Sequence, residues 1–331
     1  MQDNNTLYAV RDLSVAYHTR AGDVVAVEDV TLDLLEGEIL GLVGESGCGK
    51  STLGKALLRL HSGPAEILKG ELRFEEGDLM DLSDEEMTDV RGAKLGMIFQ
   101  DPMTSLNPVQ RILDHITETI LTHRDVSEEK AADRAEELIE LLGIRKERLT
   151  DYPHQMSGGM RQRVMIALAL ALRAKLVVAD EPTTSLDVIV EAKFLELLRE
   201  LQREFNLTIL LITHNIGVIA EVADRVAVMY AGKIVEIGDV NEVFLNPKHP
   251  YTQGLLSSVP NIELDDEELY QMKGNPPNLL NPPSGCRFHP RCPHAMEICH
   301  QKPPSLATID GKQKASCYLY DEVTPVEVPS E

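Results

Sequence analysis

The sequence predicts an α/β fold with a largely parallel sheet, an inserted helical subdomain and a small cysteine-containing region at the carboxyl end. Three observations predict it. An apolar run, Ile39 to Val43, passes through a glycine-rich loop, Gly44 to Gly49, into leucines at helical spacing. Short apolar runs at Leu176 to Ala179, Thr208 to Ile212 and Val226 to Met229 alternate with helical stretches such as Val188 to Phe205, the order that builds parallel sheets. Finally, four of the five cysteines fall between Cys286 and Cys317, among proline-rich segments.

Taken in order, Leu7, Ala9, Leu13, Val15 and Tyr17 alternate as a strand does, and Val24 to Leu34 reads as further strands around Glu28 and Asp29. After the glycine-rich loop, Ser51 to Leu60 offers Leu53, Leu57, Leu58 and Leu60 to a core at helical spacing. Residues 101–163 turn mostly helical, notably Ser127 to Gly143, where Ala131, Ala135, Leu138, Ile139, Leu141 and Leu142 form an apolar stripe. Around Asn246 the texture changes to Asn275-Pro276-Pro277, Asn281-Pro282-Pro283 and Lys302-Pro303-Pro304. The expected division is therefore a main domain over 1–245, an appendage over 246–320 and an acidic, disordered tail over 321–331.

Composition bounds the function. The longest apolar run, Val164 to Leu172, is stopped by Arg173 and Lys175, well short of the roughly 20 residues that a membrane span needs. The first residues, Met1 to Asn5, lack the basic flank and apolar centre of a secretory signal, so a cytosolic or peripheral location is expected. The formal charge of −22 argues against nonspecific nucleic-acid binding, and no nucleic-acid partner is expected. Such acidity also suits a salt-rich cytosol.

Gly44-Glu45-Ser46-Gly47-Cys48-Gly49-Lys50-Ser51 fits the phosphate-loop pattern in its required context between strand and helix. Backbone N–H groups of Gly44, Ser46, Gly47, Cys48, Gly49, Lys50, Ser51 and Thr52 are candidates to surround phosphates, Lys50 to reach the β- and γ-phosphates, and Ser51 to coordinate Mg²⁺. Cys48 is read as a small loop residue rather than a redox switch. The strand Leu176 to Ala179 ends in Asp180-Glu181, which puts two carboxylates at its carboxyl edge. Asp180 is expected to hold the Mg²⁺ shell, and Glu181 to orient or deprotonate the attacking water.

With these motifs in hand, Met156-Ser157-Gly158-Gly159-Met160-Arg161-Gln162-Arg163 resembles the signature of the ABC ATPases, with Met156 and Met160 where that family usually has leucine and glutamine. The resemblance implies a P-loop NTPase fold of the ABC nucleotide-binding type. It also implies that Ser157, Gly158 and Gly159 face the γ-phosphate of ATP bound by a second such subunit, a paralogue or another copy. Gln100 resembles the glutamine that touches Mg²⁺ and the lytic water, Ser185-Leu186-Asp187 the D-loop, His214 the switch histidine and Tyr17 the aromatic that stacks on adenine. Asn215 stands where the family generally has Asp, so a carboxylate role there is lost.

The carboxyl-terminal third, with Asn246-Pro247-Lys248-His249-Pro250-Tyr251-Thr252, Gly274-Asn275-Pro276-Pro277 and Gly285 to Cys292, resembles the oligopeptide/dipeptide importer ATPases, a group that includes nickel importers. That resemblance implies two permease subunits, an external solute-binding protein and a place at the cytoplasmic face of the membrane. A soluble ABC-type ATPase is the alternative; such proteins tend to carry tandem ATPase domains or a coiled-coil insertion, and neither stands here. Cys286, Cys292, Cys299 and Cys317 lack the paired Cys-x2-Cys spacing of zinc ribbons. Four thiolates suit a four-iron four-sulfur cluster or Zn²⁺ on chemistry alone, and the resemblance favours the cluster. Because these cysteines lie outside every nucleotide motif, replacing any one of them with serine is expected to destabilise this region while leaving the ATP contacts of the main domain largely intact.

Overall fold

The computed structural model describes residues 5–61, 63–184, 186–258 and 272–320, without the side chain of residue 103. Ser185 and the tail 321–331, expected to be disordered, lie outside the described residues. The chain opens with β1 (Thr6–Thr19) and β2 (Gly22–Leu35), then β3 (Ile39–Val43), α1 (Lys50–Leu57), β4 (Ala65–Phe74), β5 (Gly77–Asp78) and α2 (Asp84–Val90). Next come β6 (Leu95–Ile98), α3 (Pro102–Ser105), α4 (Ile112–His123), α5 (Glu128–Leu141), α6 (Gly158–Leu170), β7 (Leu176–Asp180), α7 (Val188–Phe205), β8 (Thr208–Ile212), α8 (Ile216–Val222) and β9 (Arg225–Tyr230). The remainder is β10 (Lys233–Asp239), α9 (Val240–Leu245), α10 (Pro250–Ser257), α11 (Glu297–Gln301), β11 (Ala307–Asp310) and β12 (Gln313–Ala315).

Two sheets organise these elements. The larger has the order β11-β12-β10-β9-β3-β8-β7-β6, parallel from β9 to β6 and antiparallel beyond β9. β3, β7 and β8 are buried at every position. Helices cover both faces of such strands, which is why they read as unbroken apolar runs rather than alternations. The smaller sheet, β2-β1-β4-β5, is antiparallel. There β2 is one strand where the sequence suggested several: Asp29 takes a left-handed φ of 51°, and the register with β1 shifts between Leu13/Val30 and Val15/Val27. A bulge absorbs the extra residue without ending the strand.

The helical subdomain follows its apolar stripe. Ser127 caps α5 by accepting the Lys130 N–H, and Ala131, Ala135, Leu138 and Ile139 are fully buried against α4 and α6. Leu141 proves exposed, because the stripe is narrower than the run of leucines.

The carboxyl-terminal region packs against the main domain. β12 adds to the main sheet through Glu236↔Ala315 and Ile237↔Lys314 with β10, and Phe288 lies in the same core cluster as β8 and α7, with Cys286 and Cys292 packed against that cluster. An exposed edge strand is a template for further pairing, and here the region's own hairpin covers it. Among the described residues, no helix is long and apolar enough to cross a membrane.

Candidate nucleotide site

The loop after β3 owes its shape to glycine. At Gly49 the backbone has φ +108°, and a Cβ there would stand 2.2 Å from the Ala26 carbonyl oxygen; only glycine permits so close an approach. Gly47, at φ +76°, has nothing within 4 Å of an added Cβ, so the loop opens to solvent there. Lys50, the first residue of α1, is 5% exposed, and its Nζ donates to the carbonyls of Gly44 at 2.8 Å and Glu45 at 3.1 Å. The ammonium is thereby aimed along the loop. Cys48 is buried, and burial pushes its thiol above the ordinary range, in keeping with a packing role.

β3, β7 and β8 are neighbours, so the carboxyl ends of all three strands meet at one edge. Ser51 Oγ donates to Asp180 Oδ1 at 2.8 Å, and burial of Asp180, 3% exposed, raises its carboxyl above the usual range. This hydroxyl–carboxylate pair supplies the hard oxygen donors that Mg²⁺ takes.

Glu181 adopts φ 46°, a left-handed conformation costly for a residue with a side chain. Its N–H donates to the Ile212 carbonyl at 2.8 Å, so β8 holds the distortion. The turn delivers Glu181 Oε2 to three groups: Gln100 Nε2 at 3.3 Å, Thr184 Oγ1 at 3.0 Å and His214 Nδ1 at 3.4 Å. Gln100 follows β6 and His214 follows β8, so residues 81 positions apart, Gln100 and Glu181, meet because of sheet order. Thr184 was missed from the sequence; its only signal is its place between Glu181 and the D-loop segment.

A cavity of about 640 Å³ is lined by Tyr17, Ser46, Gly47, Gly49, Lys50, Ser51, Thr52, Gln100, Glu181 and His214, and by Leu279 from the carboxyl-terminal region. The Tyr17 hydroxyl lies 3.1 Å from Thr52 Oγ1, which places its ring at this cavity. Leu279 carried no sequence signal. Ser157 caps α6 by accepting the Met160 N–H at 3.3 Å, and Asp187 caps α7 by accepting the Val190 N–H at 3.0 Å. The start of α6 packs close to the start of α7, since a Cβ on Gly159 would meet Val190 at 2.8 Å. Neither Ser157 nor Asp187 is among the cavity's lining residues. Asn215 caps α8, accepting the Gly217 N–H at 3.0 Å.

This arrangement has known counterparts. The ABC transporter family matches residues 27–184, and the oligopeptide/dipeptide transporter C-terminal region matches residues 235–299. The chain is 49% identical over 328 residues, 98% of this chain and 92% of the relative, to the oligopeptide transport ATP-binding protein OppD of Bacillus subtilis (strain 168). It is 46% identical to OppD of Salmonella typhimurium, over 95% of this chain and 94% of the relative.

The chain belongs to the ABC transporter ATP-binding proteins.

Among solved structures, a dimeric bacterial ABC transporter cassette superposes with a TM-score of 0.64 and 28% identity, over 70% of this chain and 98% of that one. The same cassette in a post-hydrolysis state bound to ADP and Pi gives the same TM-score of 0.64. The chain is thus an ABC ATPase, an enzyme whose ATP hydrolysis is coupled to transport.

In this ABC ATPase the four clustered cysteines are free thiols. Burial first, and then charge on Cys292, Cys286 and Cys299, pushes the Cys317 thiol up to about 11. Burial likewise raises Cys286 and Cys292, against backbone N–H groups of Phe288 and His294 that favour their thiolates, and the Met296 N–H donates to Cys299 Sγ at 3.4 Å. N–H donors around sulfur are what metal-bound thiolates use. Yet among the described residues no group of three or more His, Cys, Asp or Glu side chains closes to metal-holding geometry. The donor chemistry fits a metal; the arrangement falls short of a ready cage.

The segment Cys286–Cys292 abuts the phosphate loop: Arg287 donates to Glu28 and to the Ala231 carbonyl, and Gly232, next in sequence, donates its N–H to the Cys48 carbonyl at 2.8 Å.

Proposed function

We propose that this ATPase pairs with a second ABC ATPase subunit, a paralogue or another copy, and powers import of di- or oligopeptides or a related small solute. Two permease subunits would carry the solute delivered by an external binding protein, with this chain at the cytoplasmic face of the membrane. The match of its carboxyl-terminal region to the oligopeptide/dipeptide transporters supports that setting over a soluble ABC ATPase.

In the proposed reaction, ATP lies on the phosphate loop with its β- and γ-phosphates at Lys50 and its adenine against Tyr17. Mg²⁺, where bound, neutralises phosphate charge; Ser51, Asp180 and Gln100 are the residues that would hold it. Glu181 takes a proton from a water aligned with the γ-phosphate, the water oxygen bonds to phosphorus, and the bond to the ADP oxygen breaks. Gln100 and His214 orient that water and the γ-phosphate. Ser157, Gly158, Gly159 and Asp187 face the partner's nucleotide, since the start of α6 presents N–H groups to an anion.

The observation that carries this reading is the convergence of Gln100, Thr184 and His214 on one oxygen of Glu181. Uptake of a labelled dipeptide by cells carrying the chain with its permeases and binding protein tests it. Uptake that stops with Glu181→Gln supports it, and uptake indifferent to that change removes this site from transport.

For the four cysteines we propose a four-iron four-sulfur cluster held by Cys286, Cys292, Cys299 and Cys317, with Zn²⁺ as the alternative; the reading rests on the chemistry of four thiolates and not on a ready cage, since none stands among the described residues.

A further inference from the structure

The phosphate loop is held from outside by a residue that no nucleotide motif contains. Arg291, whose side chain is 6% exposed, sets Nη1 2.7 Å from Glu45 Oε2 and Nη2 2.9 Å from Glu45 Oε1. Its Nε donates to the Lys273 carbonyl at 3.1 Å, and the guanidinium carbon lies 5.7 Å from the centre of the Tyr230 ring. A fork bonded to both oxygens fixes the plane of the carboxylate as well as its position, which a lysine could not do. The main chain of Glu45 is tethered too, its N–H donating to Tyr251 Oη at 2.9 Å. Tyr251 is itself fully buried, with its ring centre 4.5 Å from that of Tyr230 and 5.5 Å from that of Phe288.

Glu45 is the second residue of the loop, and its carbonyl is one of two that accept from Lys50 Nζ. A continuous chain of contacts therefore runs from Arg291 through Glu45 to Lys50. We propose that Arg291 is a positioning residue of the ATP site: by gripping Glu45 it holds the phosphate loop and Lys50 in the arrangement that receives the phosphates. The proposal rests on the reading of Gly44 to Ser51 as the ATP-binding loop. Its physical basis is entropy. A loop with three glycines at positive φ has much freedom to lose on binding, and a loop held beforehand does not lose it when the nucleotide arrives.

The test uses the full chain, with Mg²⁺-ATP affinity from a binding titration beside thermal unfolding and steady-state ATPase. Arg291→Ala leaves the half-buried Glu45 carboxylate unpaired and can fail to fold. The double variant Arg291→Met with Glu45→Gln removes both charges at similar volume and keeps the experiment readable. The expected result is a folded double variant whose ATP affinity falls by about tenfold and whose KM rises in step, with kcat changed by less than about twofold. Arg291→Lys, which keeps the charge and loses the fork, should fall between. A folded double variant that binds ATP within about twofold of the parent overturns the proposal, as does an effect confined to the melting temperature. Lys50→Ala serves as the control: if it too leaves ATP affinity unchanged, the fault lies in the phosphate-loop reading and not in Arg291.

Discussion

Replacing Glu181 by Gln isolates basicity from geometry. The amide matches the carboxylate in size, and its carbonyl oxygen can accept from Gln100 Nε2 and Thr184 Oγ1 just as Glu181 Oε2 does at 3.3 and 3.0 Å. The backbone at φ 46° is held by the Glu181 N–H bond to Ile212, which the change leaves in place. What disappears is the capacity to take a proton. Loss of a positioned general base lowers rates by about 10²–10⁴, equivalent to about 3–5 kcal/mol on the barrier. The groups read as phosphate ligands, Lys50 and the loop N–H donors, are untouched, so ATP affinity should change by less than about threefold. With turnover blocked and binding intact, the ATP-bound dimer should accumulate. Single-turnover hydrolysis, a binding titration and size-exclusion chromatography with Mg²⁺-ATP give the three readouts. Turnover within about tenfold of the parent would remove Glu181 from the role of base, and a matching loss of ATP affinity would mean that the substitution had disturbed the loop instead.

Lys50→Ala should weaken ATP binding itself by at least about tenfold, because a charge-assisted contact to phosphate is lost; an isothermal titration with unchanged affinity contradicts the loop assignment. His249 is fully buried and accepts the Tyr251 N–H at 3.0 Å, and burial lowers its pKa to about 3. Between that value and about 6.5 the unfolded chain binds a proton that the folded chain refuses, so stability is fully present above about pH 6.5 and drains as pH falls, by about 1.4 kcal/mol per unit. His249→Asn keeps a capping oxygen and does not titrate, so its stability in urea should fall less steeply between pH 7 and 5; parallel curves would contradict the buried neutral imidazole. Protein purified without oxygen should hold about four iron and four sulfide per chain, lost when any one of Cys286, Cys292, Cys299 or Cys317 becomes Ser. Zinc without iron selects the alternative metal, and four titratable thiols with neither metal end both.

Legibility in the sequence followed the range of each interaction. The phosphate loop, the strand end at Asp180-Glu181 and the helix starts at Ser157 and Asp187 were readable because each depends largely on neighbours within a turn or so of chain: the positive φ at Gly49 and the caps on Met160 and Val190 leave local marks in residue type. Leu176 to Ala179 and Thr208 to Ile212 were readable as buried parallel strands because both faces are covered. Thr184 gave little sign, since a threonine in a turn has many uses. Leu279 gave none: a leucine between prolines looks alike whether it faces solvent or a cavity.

By itself, the sequence determined that the chain is an α/β nucleotide-binding protein, which residues form the phosphate loop and which acids stand beyond the Leu176–Ala179 strand, because glycine, lysine and carboxylate at those spacings answer to few other demands. The tertiary structure alone decided that Gln100, Thr184 and His214 converge on Glu181, since strand order, not strand identity, sets which strand ends are neighbours. It alone decided that the carboxyl-terminal region, which reads as a separate appendage, pairs with β10 and grips Glu45 through Arg291 across 246 positions. A contact at that separation leaves no pattern in either segment, because each partner is an ordinary charged residue until the fold brings it to the other.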